Sequence, residues 1–203
     1  GGSATLSVSG ATTYTWEPGS LSGSTITVNP ATTTTYTVTG NTNNCLSIDS
    51  ITVTINPPPF VFAGPDFDVC SGSQATMNVA TTGSAYTWMP TTGIIGSNTT
   101  QSIVANPTSN TSYTVTVTGV GGCISTDTIN VTVNPIPNVT ASTPDNTICV
   151  GQQTTTVSAS GALTYSWIPT TGLSSPTASS STANPSTTTT YQVIGTDANG
   201  CMD

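Results

Sequence analysis

The chain has 203 residues and a formal net charge of −8, with eight acids and no lysine, arginine or histidine. With no cation to meet phosphate, nucleic-acid binding and electrostatic docking to an anionic membrane are excluded, as are side-chain ion pairs and any catalytic dyad built on histidine or lysine. No apolar run approaches the ~20 residues of a membrane span, so direct membrane insertion is not expected.

Apolar burial and backbone ladders must therefore hold the fold. Threonine makes up nearly a quarter of the residues, a composition that in another arrangement would suggest disorder. Here it alternates with valine, isoleucine, tyrosine and tryptophan, which is the pattern of strands with a polar outer face and an apolar inner one.

Read from the N-terminus, residues 1–8 (GGSATLSV) align with 72–79 (GSQATMNV), so a repeated unit is entered past its first strand. Tyr14, Trp16 and Pro18 follow, then Asn29-Pro30, Tyr36 seven residues after Asn29, Val38, Cys45, and an alternating run Ile51, Val53, Ile55 closed by Asn56-Pro57. The same text returns as Tyr86, Trp88, Pro90, Asn106-Pro107, Tyr113, Cys123, Ile129, Val131, Val133 and Asn134-Pro135. It comes a third time as Tyr165, Trp167, Pro169, Asn184-Pro185, Tyr191, Val193 and Cys201. Cys45, Cys123 and Cys201 are evenly spaced, 78 residues apart (123 − 45 and 201 − 123). This is a tandem array, expected to divide into residues 1–57 with strand A missing, 58–135 complete, and 136–203 with strand G missing.

The middle copy supplies every element. Strand A is predicted at 60–69, B at 75–80, C at 85–89, a short C′ or irregular piece near 94–95, E at 102–105, F at 112–118 and G at 127–133. Seven short strands separated by glycine, proline and asparagine turns predict an all-β chain of antiparallel sandwiches, with no convincing helical period. Trp16, Trp88 and Trp167 on strand C are expected as inter-sheet plugs. Tyr36, Tyr113 and Tyr191 open strand F, where each hydroxyl could bond back to the backbone as a tyrosine corner. Exposed, these aromatics would instead make a sugar-stacking platform; their alternation and repetition favour core.

The segments AGPDFDVCSGSQATMNV (63–79), AYTWMP (85–90), NPTSNTSYTVTVTGVGGC (106–123) and DTINVTVNP (127–135) together resemble the PKD-like and immunoglobulin-like tandem repeats of very large cell-surface adhesins exported by the type IX secretion system of gliding bacteria. The resemblance covers all three copies and is specific as a set. It implies immunoglobulin-like or PKD-like sandwiches in an extracellular, cell-surface and disulfide-permissive setting, with a non-enzymatic role and no cofactor. It also singles out Asp49-Ser50-Ile51 and Asp127-Thr128-Ile129, which look like that group's O-glycosylation acceptors, with Ser50 and Thr128 as the acceptors at the start of strand G.

The five cysteines have no CxxC spacing and no histidine beside them, so disulfides are expected rather than zinc. Pairing within repeats would join Cys70 to Cys123 and Cys149 to Cys201. Topology argues for another pairing: Cys70 belongs to the A–B end of its sandwich and Cys123 to the F–G end, about 20 Å apart, whereas a disulfide needs Cα atoms within about 7 Å. A bond from Cys70 to Cys201, stapling successive repeats, is the alternative preferred here. Asp66 and Asp68 form the only close acid pair and could hold a hard cation, but two acids without supporting ligands make a poor calcium site.

The expected function is a structural or adhesive repeat segment of an extracellular surface adhesin or filament, acting as a rigid spacer rod. Its partners would be neighbouring repeats, further copies in a fibre, or surface glycans. The competing expectation is a carbohydrate-binding accessory array of a secreted polysaccharide-degrading enzyme.

Overall fold

A computed structural model describes residues 2–203, which fold as two compact units: residues 2–59 with Thr118–Ser125, and Phe60–Val117 with Thr126–Asp203.

The first unit contains β1 (Ala4–Ser7), β2 (Thr13–Glu17), β3 (Leu21–Ser22), β4 (Thr25–Val28), β5 (Thr34–Thr42) and β6 (Cys45–Val53). β1 pairs antiparallel with β4, and the others form a sheet in the order β3-β2-β5-β6. Apolar residues alternate with threonine along β4 and β5, so Ile26, Val28, Tyr36 and Val38 meet Leu6 and Trp16 in one core. β6 is the edge of its sheet, and all its residues before Val53 are exposed.

The second unit holds two cores. Around the first lie β7 (Val61–Phe62), β8 (Phe67–Cys70), β9 (Ala75–Asn78), β10 (Ala80–Thr81), β11 (Ala85–Met89), β12 (Ile94–Ile95), β13 (Ser102–Ala105), β14 (Thr111–Thr118) and β15 (Ile124–Asn134). The sheet β12-β13-β9 contributes Met77 and Ile103, and the sheet β11-β14-β15-β8 contributes Trp88, Tyr113, Val115, Val117, Ile129 and Val131. Around the second core lie β16 (Thr140–Ser142), β17 (Thr155–Ser160), β18 (Thr164–Ile168), β19 (Ser180–Ala183) and β20 (Gln192–Thr196). They form sheets β16-β17-β19 and β18-β20 that enclose Val157, Ala159, Trp167 and Ala183. The chain is thus all-β, an array of antiparallel sandwiches, with one 3₁₀ turn among the described residues, at Val120–Gly122.

Three elements differ from the sequence reading. Strand A is two pieces: β7 pairs antiparallel with β10, and β8 pairs parallel with β15. Between them Gly64 takes φ +100°, which favours glycine, and Pro65 has no amide hydrogen for a ladder, so the chain leaves one sheet and joins the other. Strand C′ also changes sheets between repeats. β3 pairs with β2, whereas β12 pairs with β13, and the loop from Trp88 to Ile94 is one residue longer than that from Trp16 to Leu21. Gly93 turns that longer loop at φ +80°, where a Cβ would stand 3.1 Å from both the Asn106 carbonyl oxygen and the Tyr113 hydroxyl. In the third repeat, the counterpart of β8 at residues 146–149 joins no strand.

Candidate functional site

The site built most deliberately is the covalent seam between the second and third repeats. Its first half is strand β8. In parallel register with β15, Val131 lies opposite Phe67 and Asn134 opposite Cys70. Carboxylates stitch the stretch from Ala63 to Asp68 to β15. Asp66 accepts hydrogen bonds from the Asn130 backbone N–H (2.8 Å) and from Asn130 Nδ2 (2.9 Å), Asp68 Oδ2 accepts one from Asn134 Nδ2 (3.3 Å), and Asp127 Oδ2 accepts one from the Ala63 N–H (2.8 Å). The bonds from Asn130, side chain first, hold the Asp66 carboxyl below the ordinary carboxylate range. These partners change the reading of Asp66 and Asp68 as a cation pair: amide donors occupy both carboxylates. Among the described residues no group of three acids, cysteines or histidines stands together as a metal site.

The second half is the turn after β20. Asp197 Oδ1 accepts the N–H groups of Asn199 (2.9 Å) and Cys201 (2.8 Å), and the Asp197 N–H donates to the Cys201 carbonyl (2.9 Å). This Asx turn presents Cys201, fully buried, to Cys70. The two are bonded, with Cα atoms 5.5 Å apart across a sequence separation of 131 residues. The within-repeat pairs Cys70–Cys123 and Cys149–Cys201 are not formed, and Cys45, Cys123 and Cys149 carry free thiols. The reason is strand length. Cys70 sits opposite the last residue of the eleven-residue β15, and Cys123 immediately precedes its first. A loop this long, closed by one bond, stabilises by up to about 5 kcal/mol in the chain-entropy account.

Trp16, Trp88 and Trp167 are 2%, 0% and 2% exposed, and each indole Nε1 donates at 3.0 Å to a carbonyl oxygen, of Gly23, Thr100 and Ala178 respectively. No indole face is open for stacking on a sugar. Tyr36 and Tyr113 are buried and Tyr191 is half-buried. Tyr113 donates to the Thr92 carbonyl (3.0 Å) and Tyr191 to the Thr171 carbonyl (2.8 Å), and burial pushes both phenols up. Both hydroxyls thus bond back to the backbone, but to the loop after strand C, 21 and 20 residues upstream, rather than to the few residues just before the tyrosine.

The hydrogen bonds of the strand-C tyrosines escaped sequence reasoning. Tyr14, Tyr86 and Tyr165 donate to the carbonyl three residues earlier, of Ala11 (2.9 Å), Gly83 (3.3 Å) and Ala162 (2.9 Å). The available signal was the small residue at that spacing in every copy.

Ser50 and Thr128 are exposed, and both sit inside their strands rather than at the start. In each case the preceding aspartate folds back on the backbone: Asp49 Oδ1 accepts the Ser50 N–H (2.8 Å) and Asp127 Oδ1 the Thr128 N–H (2.9 Å). Thr128 Oγ1 also shares a hydrogen bond with Thr114 Oγ1 (2.9 Å).

No family model matches the chain, and no curated protein does. Solved structures do. The N-terminal eight Ig domains of Down syndrome cell adhesion molecule, isoform 1.30.30, align with 96% of the chain at 12% identity and TM-score 0.47, and the chain spans 37% of that structure. A three-Ig segment of titin aligns with 99% of the chain at 11% identity and TM-score 0.45, with 90% of its own length covered. Immunoglobulin domains 1–5 of Sidekick-1 align with 99% of the chain at 13% identity and TM-score 0.35, with 55% covered. These likenesses are distant; it is the strand order described above that makes this chain a tandem array of immunoglobulin-like β-sandwiches.

Proposed function

We propose that this chain is a structural and adhesive repeat segment of an extracellular surface adhesin or filament, dividing at residues 57 and 135 into three repeats that act together as a rigid spacer rod. The observation that carries the reading is the Cys70–Cys201 bond, which ties the second repeat to the third at a point where neither needs it to close its own core. A disulfide between successive sandwiches resists hinging and belongs to an oxidising compartment. The resemblance to type IX-secreted adhesin repeats supplies the surface setting, and exposed Ser50 and Thr128 are the proposed O-glycan acceptors.

Small-angle scattering of the purified chain tests the rod. A compact globule of this length has a radius of gyration of about 17 Å; the rod requires a value well above that, and one near it would sink the reading. The alternative, a carbohydrate-binding array, is opposed by the buried indoles. Saturable binding to a polysaccharide, lost on substitution of an exposed residue, would revive it.

A further inference from the structure

We propose that Asn199 is a self-modifying site: in the folded chain it converts to isoaspartate through its bond to Gly200, and the product loosens the turn that presents Cys201 to Cys70.

The sequence confines this chemistry to one place. Asn199-Gly200 is the single asparagine–glycine pair in the chain. Conversion begins when the backbone nitrogen of the following residue attacks the asparagine side-chain carbonyl carbon, so that nitrogen must carry a hydrogen and be open to approach. Asn29, Asn56, Asn106, Asn134 and Asn184 precede proline, whose nitrogen has no hydrogen to give up. Every other asparagine precedes a residue whose Cβ crowds the attack, whereas Gly200 has none.

The local structure leaves the pair open. Asn199 and Gly200 are exposed at the tip of the turn after β20, while Asp197 is half-buried and Cys201 fully buried. The Gly200 N–H is held by the longest bond of the turn, 3.3 Å to the Asp197 carbonyl oxygen. The shorter bonds lie on either side, where Asp197 Oδ1 accepts the Asn199 N–H at 2.9 Å and the Cys201 N–H at 2.8 Å. In the other two repeats the same place is taken by Asn43-Asn44 and Gly121-Gly122, so the susceptible pair stands at the disulfide-bonded seam alone.

The Gly200 nitrogen bonds to Asn199 Cγ, the Cγ–Nδ2 bond breaks, and ammonia leaves with the Gly200 amide hydrogen. The cyclic succinimide then takes up one water. Opening at the backbone carbonyl carbon of residue 199 leaves the main chain running through Cγ, as isoaspartate; opening at Cγ gives ordinary aspartate. Isoaspartate inserts one methylene between the two N–H groups that converge on Asp197 Oδ1. It also adds a carboxylate two residues from Asp197, in a chain with no cation to offset it. The Cys201 N–H therefore loses its acceptor, and the turn opens more often.

The test ages the full oxidised chain, nitrogen-15-labelled, in mildly alkaline buffer, which favours loss of the Gly200 amide proton, against an unaged sample kept mildly acidic. Pepsin peptides, needed because trypsin has no site, are assayed for isoaspartate with an isoaspartyl methyltransferase. Exchange of the Cys201 amide is followed by NMR, and opening of Cys70–Cys201 by dithiothreitol is timed. The expected result is isoaspartate at residue 199 ahead of every other asparagine. In the converted chain the Cys201 amide exchanges about tenfold faster, the effect of losing one hydrogen bond to a charged acceptor, and the disulfide is reduced sooner. Asn199→Gln, which would need a larger ring, resists conversion and keeps the unaged values after ageing. The proposal is overturned if the folded chain keeps its Asn199 amide, if another asparagine converts first, if Cys201 exchange and seam reduction are unchanged by conversion, or if Asn199→Gln ages like the parent. It goes beyond the spacer reading: scattering that sinks the rod leaves this chemistry standing, and an Asn199 that never converts leaves the rod.

Discussion

Strands β6 and β15 are written almost alike and meet different fates. Ile129 and Val131 on β15 are 3% and 1% exposed, whereas Ile51, in the same place on β6, is 49% exposed. The difference is the neighbour: β15 is flanked by β14 and β8, and β6 by β5 alone. Alternation decides which side chains point inward; only an added strand buries them. For a single isoleucine that burial is worth about 1.5–3 kcal/mol.

The sharpest way to break this comparison is a matched pair of truncations. Ile129→Ala should destabilise the second repeat by about 2–5 kcal/mol, while Ile51→Ala should cost under about 1 kcal/mol, measured by chemical unfolding followed with the tryptophan of each repeat. Equal costs would erase the distinction. Next in size, Cys70→Ser should lower the stability of the second unit by about 2–4 kcal/mol and leave the unfolding of the first repeat unchanged; a loss in both would show that the bond is not local to its seam. Gly93→Ala comes third, at about 1–2 kcal/mol for the left-handed backbone alone. By crowding the Tyr113 hydroxyl it should also move that phenol's ultraviolet titration, which a purely backbone effect would not do.

The smallest effect concerns acid. The Asp66 carboxyl titrates below its ordinary value in the folded chain, so its contribution is present above about pH 4 and is lost as the pH falls through the depressed value. The melting temperature of the second repeat should therefore drop on acidification, and Asp66→Asn should flatten that drop. An unchanged acid slope in the variant would mean that the bonds from Asn130 contribute nothing to holding β8 on β15.

Much of the fold was legible because a strand's period is local. Tyr113, Val115 and Val117 alternate with polar residues along β14, and all three are buried. What could not be read depends on partners far away in sequence. Strand A splits at Gly64 because two sheets claim its halves, and nothing within 60–69 announces the second partner. C′ joins C in one repeat and E in another on the strength of one loop residue. The tyrosine hydroxyls have chemistry that sequence reveals and targets that it does not, since Thr92 lies 21 residues from Tyr113. For the cysteines, spacing alone left two pairings open, because it does not say which end of one sandwich meets which end of the next.

The seam bond has a mechanical corollary. Tension applied at the chain ends enters the loop at Cys70 and leaves it at Cys201, bypassing the 131 residues of sequence separation between them. Even if the sandwiches inside that loop came apart under load, roughly 450 Å of contour length would stay out of reach until the sulfurs were reduced. The array's extensibility is therefore set by the redox state of its surroundings as much as by the strength of its strands.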